Sequence, residues 1–433
     1  MNIVSYGVKL HHLSKALDPT IKVYRDAVAY LMDIVFIHYD EIKDLKPLSA
    51  QRYIEVLVHT TKNTDAIYKT FDQRFYKFPS YLRRDAINTA IGKVDSYKKL
   101  LALWDPSKGK KPHINRNQDM MPCFYREGMF RQKENEFSIK VFQNNDWVWL
   151  NVHLDKTDLD YIKTNCIDMT ECAPVLKKAH KAYVLQFAYK YSIKDRPRFK
   201  KDVDVTQILA IDLGINTDAV CTVIKKDGTV TGQKFIDHPV EKDRLYTLLN
   251  IIKGAQQHGS RKMPRLWGYV NNYNREIAVK TASAITEYAV SQNVDVIVFE
   301  NLSDLKANGS KRQRISLWRK RDIQHRTETM ASRFGIRVSY ICPKNTSHLA
   351  YDGSGEVKRD NDNFSICTFK SGKRYNCDLS ASKNIGARYF IRVMQKSIPE
   401  TDWLLLQAKV PEICTRTQCT LSTLINLSAV NIA

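Results

Sequence analysis

The stretch QILAIDLGINTDAVCTVIKKDG (207–228) sets an apolar run, Ile208 to Ile211, directly against Asp212, with Gly214 just beyond. A carboxylate at the end of a buried strand costs on the order of several kcal/mol unless something pairs with it. One reading is a capping aspartate in a tight turn. The other is a metal ligand mounted at the rim of a sheet. The segments that follow bear on the choice.

After Asp212 the pattern predicts a hairpin (Ala219 to Ile224, turn KKDG, Thr229 to Phe235), then helices, the strand VDVIVFENL, a helix, the strand RVSYI and a last helix. A meander of three strands followed by alternating helices and strands is the α/β RNase H-like arrangement. A doubly wound nucleotide fold differs, because its first strand runs straight into a helix. Two further acids stand where buried elements begin or end. Glu300 closes Val294 to Phe299, and Asp378 opens DLSASKNIGARYFIRVM, where it can also serve as the helix cap. Each is ordinary alone. Together Asp212, Glu300 and Asp378 offer hard anionic oxygens suited to Mg²⁺, and two such ions about 4 Å apart serve phosphodiester hydrolysis.

Composition points the same way. The 433 residues carry 68 Lys and Arg against 46 Asp and Glu, a formal net charge of +22, which favours polyanionic partners through counterion release. The most apolar run, AVAYLMDIVFIHY (27–39), is shorter than a spanning helix and is interrupted by Asp33, so no membrane partner is expected. The start MNIVSYGVKLHHL lacks a signal-peptide pattern, and the 9 cysteines include no C-x-x-C pair. Reduced thiols in an intracellular protein are expected.

The N-terminal half shows two patterns. Strand alternation marks MNIVSYGVKL, Phe137 to Val141, Val148 to Leu154 beyond the turn QNND, and Tyr183 to Tyr191. These strands are expected to close into a small β-barrel over 1–15 and 110–205, with aromatic side chains serving as core or as base-stacking surfaces. In FPSYLRRDAINTAIGKVDSYKKLLALW, Ala86, Ile87, Ala90, Ile91, Val94, Tyr97 and Leu101 fall on one stripe, predicting a helical bundle over 16–109. The charged segment KDRPRFKKDVDV (194–205) reads as a linker, and 396–433 as an unassigned tail.

Three segments in order, ILAIDLGIN (208–216), VDVIVFENLSDLK (294–306) and DLSASKNIGARY (378–389), resemble the RuvC motifs of TnpB-type transposon-encoded nucleases and the compact type V CRISPR effectors. ISLWRKRDIQHRTETMASRFGIRVSYICPKNTSHL (315–349) is similar to the intervening family helix, strand and Thr-Ser pair. The resemblance implies a RuvC-like nuclease domain at 206–395 with Asp212, Glu300 and Asp378 as catalytic triad, holding two Mg²⁺ ions for which Mn²⁺ can substitute. It also implies an N-terminal barrel wedge, a helical recognition lobe, a guide RNA, and double-stranded target DNA with a short flanking motif. An RNA-guided binder that cuts little or not at all is the alternative. An actin-like or sugar-kinase ATPase would need a second, glycine-rich phosphate loop, and none is evident.

The likeness breaks in the insert at about 340–377. Where the family carries C-x-x-C-G pairs, this chain has Ala350 and Gly353, then Thr368 and Ser371. Cys342, Cys367 and Cys377 cannot make a regular four-ligand site, so no structural zinc is expected. Between the second and third motifs, KRQRISLWRKRDIQHR (311–326) supplies Lys311, Arg312, Arg314, Arg319, Lys320, Arg321 and Arg326 as candidate phosphate contacts. Trp318 is a candidate base-stacking residue or a core tryptophan.

Overall fold

A computed structural model describes residues 2–10, 14–107, 109–116, 120–125, 127–133, 136–179, 182–260, 262–302 and 317–432. The chain divides into two compact units, Met1–Tyr191 and Ser192–Ala433.

In the first unit, Asn2–Leu10 pairs antiparallel with Ala182–Tyr191 over its whole length, from Asn2 opposite Tyr191 to Leu10 opposite Tyr183. Short strands Thr170–Glu171 and Val175–Ala179 complete that sheet. A second sheet holds Phe130–Lys133, Glu136–Gln143 and Asp146–Val152. Its hairpin turns at Asn144 and Asn145, both at positive φ (50° and 62°). That conformation matches the strand twist, and asparagine tolerates it better than most residues.

Among the described residues these strands form two sheets with no ladder between them, so closure into one barrel is not seen there. Helices cover the apolar faces of both. Leu17, Tyr24, Val28 and Leu31 of Ser14–Ile37 share one core with Ala86, Ile87, Ala90 and Val94 of Ser80–Ala102 and with Phe130, Ile139, Val141 and Leu185 of the sheets.

The second unit is built on a five-stranded sheet. Its spatial order is Val230–Ile236, Ala219–Lys225, Gln207–Asp212, Val296–Glu300, Arg337–Ile341. The first three strands form an antiparallel meander, and the last two run parallel to Gln207–Asp212. The central strands are apolar throughout because both faces are covered. Leu209, Ile211, Ile297 and Phe299 meet Ala278, Ile285 and Ala289 of helix Pro264–Ser291 and Ile323 of helix Lys320–Ser332. Ile208, Ala210, Val296 and Val298 meet Ile385, Tyr389 and Phe390 of helix Cys377–Ser397.

Two segments behave differently from their sequence reading. The charged stretch 194–205 is fastened to this unit: Arg337 donates to the Lys200 carbonyl (3.0 Å) and to Asp202 (2.7 Å), and Lys200 pairs with Asp295 (2.9 Å). The C-terminal segment is core. Trp403, Ile413, Leu421, Leu424 and Leu427 pack against the Cys377–Ser397 helix, which is consequently buried on nearly every side.

Candidate active site

Parallel pairing sets Ile211 opposite Phe299, so Asp212 and Glu300 emerge together at the C-terminal ends of adjacent central strands. Open α/β sheets carry their sites at such edges. Asp378 lies in the first turn of Cys377–Ser397, the helix that covers one face of this sheet. It is not the cap. Asn376 fills that role, its side-chain oxygen accepting from the Leu379 N–H at 2.9 Å.

The three carboxylates share one electrostatic field. Asp212 is held well above the usual carboxylate range, first by burial, then by the negative charges of Glu300 and Asp378, with Arg359 opposing. Burial raises Glu300, against the hydroxyl bond from Thr346 and the charge of Arg388. Burial also raises Asp378, again against Arg359. Among the described residues no hydrogen bond or ion pair satisfies the Asp212 or Asp378 carboxylate, and no group of three His, Cys, Asp or Glu side chains is gathered closely enough to hold a metal as it stands. The donor chemistry nonetheless fits hard divalent cations: desolvated, mutually repelling carboxylate oxygens that added positive charge would stabilise.

The support around Glu300 was not singled out from the sequence. Gln324 donates to the Glu300 carbonyl at 2.8 Å. Thr346, buried, donates to the Glu300 carboxylate and lies in the Thr-Ser pair that carried part of the family likeness. Arg388, within GARY, donates to the carbonyls of Cys342 (3.3 Å), Lys344 (2.6 Å), Thr417 (2.7 Å) and Cys419 (3.1 Å). A buried arginine and asparagine in a helix pattern were the available signal, since both need partners.

The insert is held by aromatic and cationic packing. Strands Lys358–Arg359, Ile366–Thr368 and Arg374–Asn376 form its sheet. Tyr351, Phe369 and Tyr375 cluster with ring centroids 5.1–5.8 Å apart. Lys383 places its Nζ 4.0 Å from the Tyr351 ring centroid and donates to the Tyr375 hydroxyl at 2.6 Å. Ala350, which stands where the resembled family carries a cysteine, is buried in this core, and Ser371, at another such place, bonds Asp352 (3.1 Å). Cys367 and Cys377 are buried, while Cys342 is exposed.

The basic segment is divided. Lys311, Arg312 and Arg314 lie outside the described residues. Arg319 and Arg326 both pair with Asp322 (3.8 and 2.7 Å). Lys320 is buried with its Nζ 5.5 Å from the Trp318 ring centroid, and Trp318 packs against the core beneath the sheet. Arg321 is exposed.

Residues 4–143 match the Aq_aa04 family. The TnpB-like protein aq_aa05 of Aquifex aeolicus (strain VF5) is 27% identical over 239 residues, covering 49% of this chain and 75% of that protein. The chain is similar to TnpB-like proteins. It is also 22% identical over 213 residues to the CRISPR-associated endodeoxyribonuclease Cas12f1 of an uncultured archaeon, a match covering 43% of this chain and 40% of that longer protein. The fold likeness is broader: Cas12f1 in its sgRNA and target DNA complex superposes with a TM-score of 0.54 at 13% identity, over 85% of this chain and 81% of that one. The sequence-level resemblance to TnpB-type proteins and compact type V effectors therefore stands. No helix among the described residues is long and apolar enough to cross a membrane.

Proposed function

We propose that this protein is an RNA-guided DNA endonuclease in which Asp212, Glu300 and Asp378 hold two divalent cations, Mg²⁺ or Mn²⁺. The observation that carries this reading is positional: neighbouring parallel strands deliver Asp212 and Glu300 to one edge, and Asp378 acts on the same field. Bound cations would activate a water and stabilise the departing 3′ oxygen of an in-line displacement. Of the chain's own residues, Thr346 holds the Glu300 carboxylate, and Arg359 offsets part of the negative charge on Asp212 and Asp378.

The partners proposed are a guide RNA and double-stranded DNA with a short flanking motif, acting in the prokaryotic cytoplasm or nucleoid. Support comes from the net charge of +22 and from the relatives, one named a CRISPR-associated endodeoxyribonuclease and one solved with sgRNA and target DNA. Guide pairing would specify sequence, since replacing a DNA duplex by a heteroduplex is nearly balanced in energy. The barrel-wedge regions (1–15, 110–205) and the helical lobe (16–109) are proposed to grip the RNA, and the run Lys311, Arg312, Arg314, Arg319, Lys320, Arg321 and Arg326, with Trp318, to contact nucleic acid.

A second reading, guided binding without scission, draws on the insert, where Ala350, Gly353, Thr368 and Ser371 stand at the places of the cysteines of the resembled family. The protein purified with its co-isolated RNA, given labelled duplex and Mg²⁺, separates the two. Cleavage that Asp212→Ala abolishes supports the nuclease. Stable binding with no scission by the unmutated chain leaves only the second reading.

A further inference from the structure

The C-terminal segment reaches the candidate active site through a continuous chain of buried polar contacts. The Leu421 N–H donates to Asn384 Oδ1 at 3.2 Å. Asn384, fully buried, turns its Nδ2 onto the carbonyls of Thr346 (3.0 Å) and Leu349 (2.8 Å). Thr346 in turn directs its single hydroxyl proton to the Glu300 carboxylate, with the Pro343 carbonyl, 2.9 Å away, as the weaker competing acceptor. A parallel strut runs beside it. Arg388 links the Thr417 and Cys419 carbonyls of the C-terminal segment to the Cys342 and Lys344 carbonyls at the other end of the same loop. The Ser422 N–H closes the frame on the Tyr351 carbonyl at 2.9 Å.

We infer that Thr346 and Asn384 are positioning residues for Glu300, and that the segment Thr415–Leu424 is the brace that holds them in place. This rests on the nuclease reading, because it matters only if Glu300 binds the cations. The physical argument is one of orientation. Glu300 sits at a strand end, where its backbone is fixed but its side chain keeps rotatable bonds. A hydroxyl donor that takes one carboxylate oxygen removes most of that freedom and leaves the other oxygen directed. The donor is itself precise only if its loop is precise. That loop, 342–349, has few hydrogen bonds to the sheet; the Asn301 N–H reaches the Ile341 carbonyl (2.8 Å) just before it, and Asn384 and Arg388 fasten it from the opposite side. Groups that orient a metal-binding carboxylate typically change affinity or activity about 10–100-fold when removed.

The experiment titrates the full-length protein with Mn²⁺ in the absence of nucleic acid, following the free-ion electron paramagnetic resonance signal. Thr346→Val, which keeps shape and loses the hydroxyl, is expected to weaken Mn²⁺ binding about tenfold or more. Thr346→Ser, which keeps the hydroxyl, is expected to bind within about threefold of the unmutated protein on the same scale. In Asn384→Ala, amide hydrogen exchange should accelerate jointly in 342–349 and 415–424. Equal Mn²⁺ affinity for Thr346→Val and the unmutated chain overturns the inference, as does an equal loss in Thr346→Ser, which would mark a purely packing role. Asp212→Ala separates the two readings. If that variant keeps full Mn²⁺ affinity the metal-site reading itself fails; if it loses affinity while Thr346→Val does not, only the positioning inference fails.

Discussion

Asp85 accepts hydrogen bonds from the Tyr24 hydroxyl (2.7 Å) and the Cys123 N–H (3.0 Å) beneath the helices of the first unit. Burial still pushes its carboxyl above the ordinary range, the two donors opposing. A carboxyl whose folded pKa exceeds its unfolded one favours folding fully only below the unfolded pKa. That contribution is lost as pH rises through the folded pKa. Stability of the first unit should therefore fall across the window just above the normal aspartate range, and Asp85→Asn should flatten that dependence. Urea unfolding at a series of pH values, monitored by a probe in this unit, checks it; an unchanged pH slope in the variant would rule Asp85 out as the source. Asp212 differs in having no donor among the described residues, only the opposing charge of Arg359. A buried carboxylate left so poorly compensated suits a ligand better than a scaffold. Removing it, or Glu300, by alanine should slow cleavage by roughly a thousandfold, as expected when several kcal/mol of metal-mediated stabilisation disappear. Single-turnover cleavage of a labelled duplex gives the rate.

Between elements, the helix that carries Asp378 lies close against the Asp212 strand and its neighbour at Gly386. A Cβ added at Gly386 would sit 2.5 Å from Ile224 Cδ1 and 3.1 Å from Ala210 Cβ, so a larger residue must displace the Ile224 side chain and press on Ala210. Gly386→Val should lift the helix, cost about 1–3 kcal/mol by overpacking, and reduce cleavage more than RNA binding, because Asp378 moves away from Asp212. Paired melting and cleavage measurements test that split. The insert at 340–377 supplies another element-scale prediction. Its core is the Tyr351, Phe369 and Tyr375 cluster capped by Lys383, so chelators should leave its melting unchanged. Lys383→Met should loosen it by about 1–2 kcal/mol, the worth of a desolvated cation over aromatic rings. A chelator-induced loss of exchange protection over 350–377 would contradict this.

Across the whole molecule the net charge of +22 dominates. Nucleic-acid affinity should fall by about a thousandfold between roughly 50 and 200 mM salt if several phosphates are neutralised, measurable by filter binding at each concentration. Charge alone did not locate the contacts. Arg319 and Arg326 both pair with Asp322, Lys320 lies beside the Trp318 ring, and Arg321 is exposed. The meander, the parallel strands and the order Asp212, Glu300, Asp378 were legible because each is a local pattern: an apolar run of strand length ended by an acid. Asn376 as the true cap of the third motif was equally local, one step from the residue that drew attention.

What the amino-acid order determined by itself was therefore whatever one segment can encode alone: strand and helix periods, the turn at Asn144 and Asn145, the acids at element ends, and the cationic surplus. Tertiary structure alone decided that 194–205 belongs to the second unit, that the C-terminal helices complete its core, that helices cover the two sheets of the first unit, and that Thr346, Asn384 and Arg388 stand behind Glu300. The reason is physical. Burial and buried hydrogen bonds are properties of pairs of surfaces distant in sequence, and no periodicity within one segment records which surface it will meet.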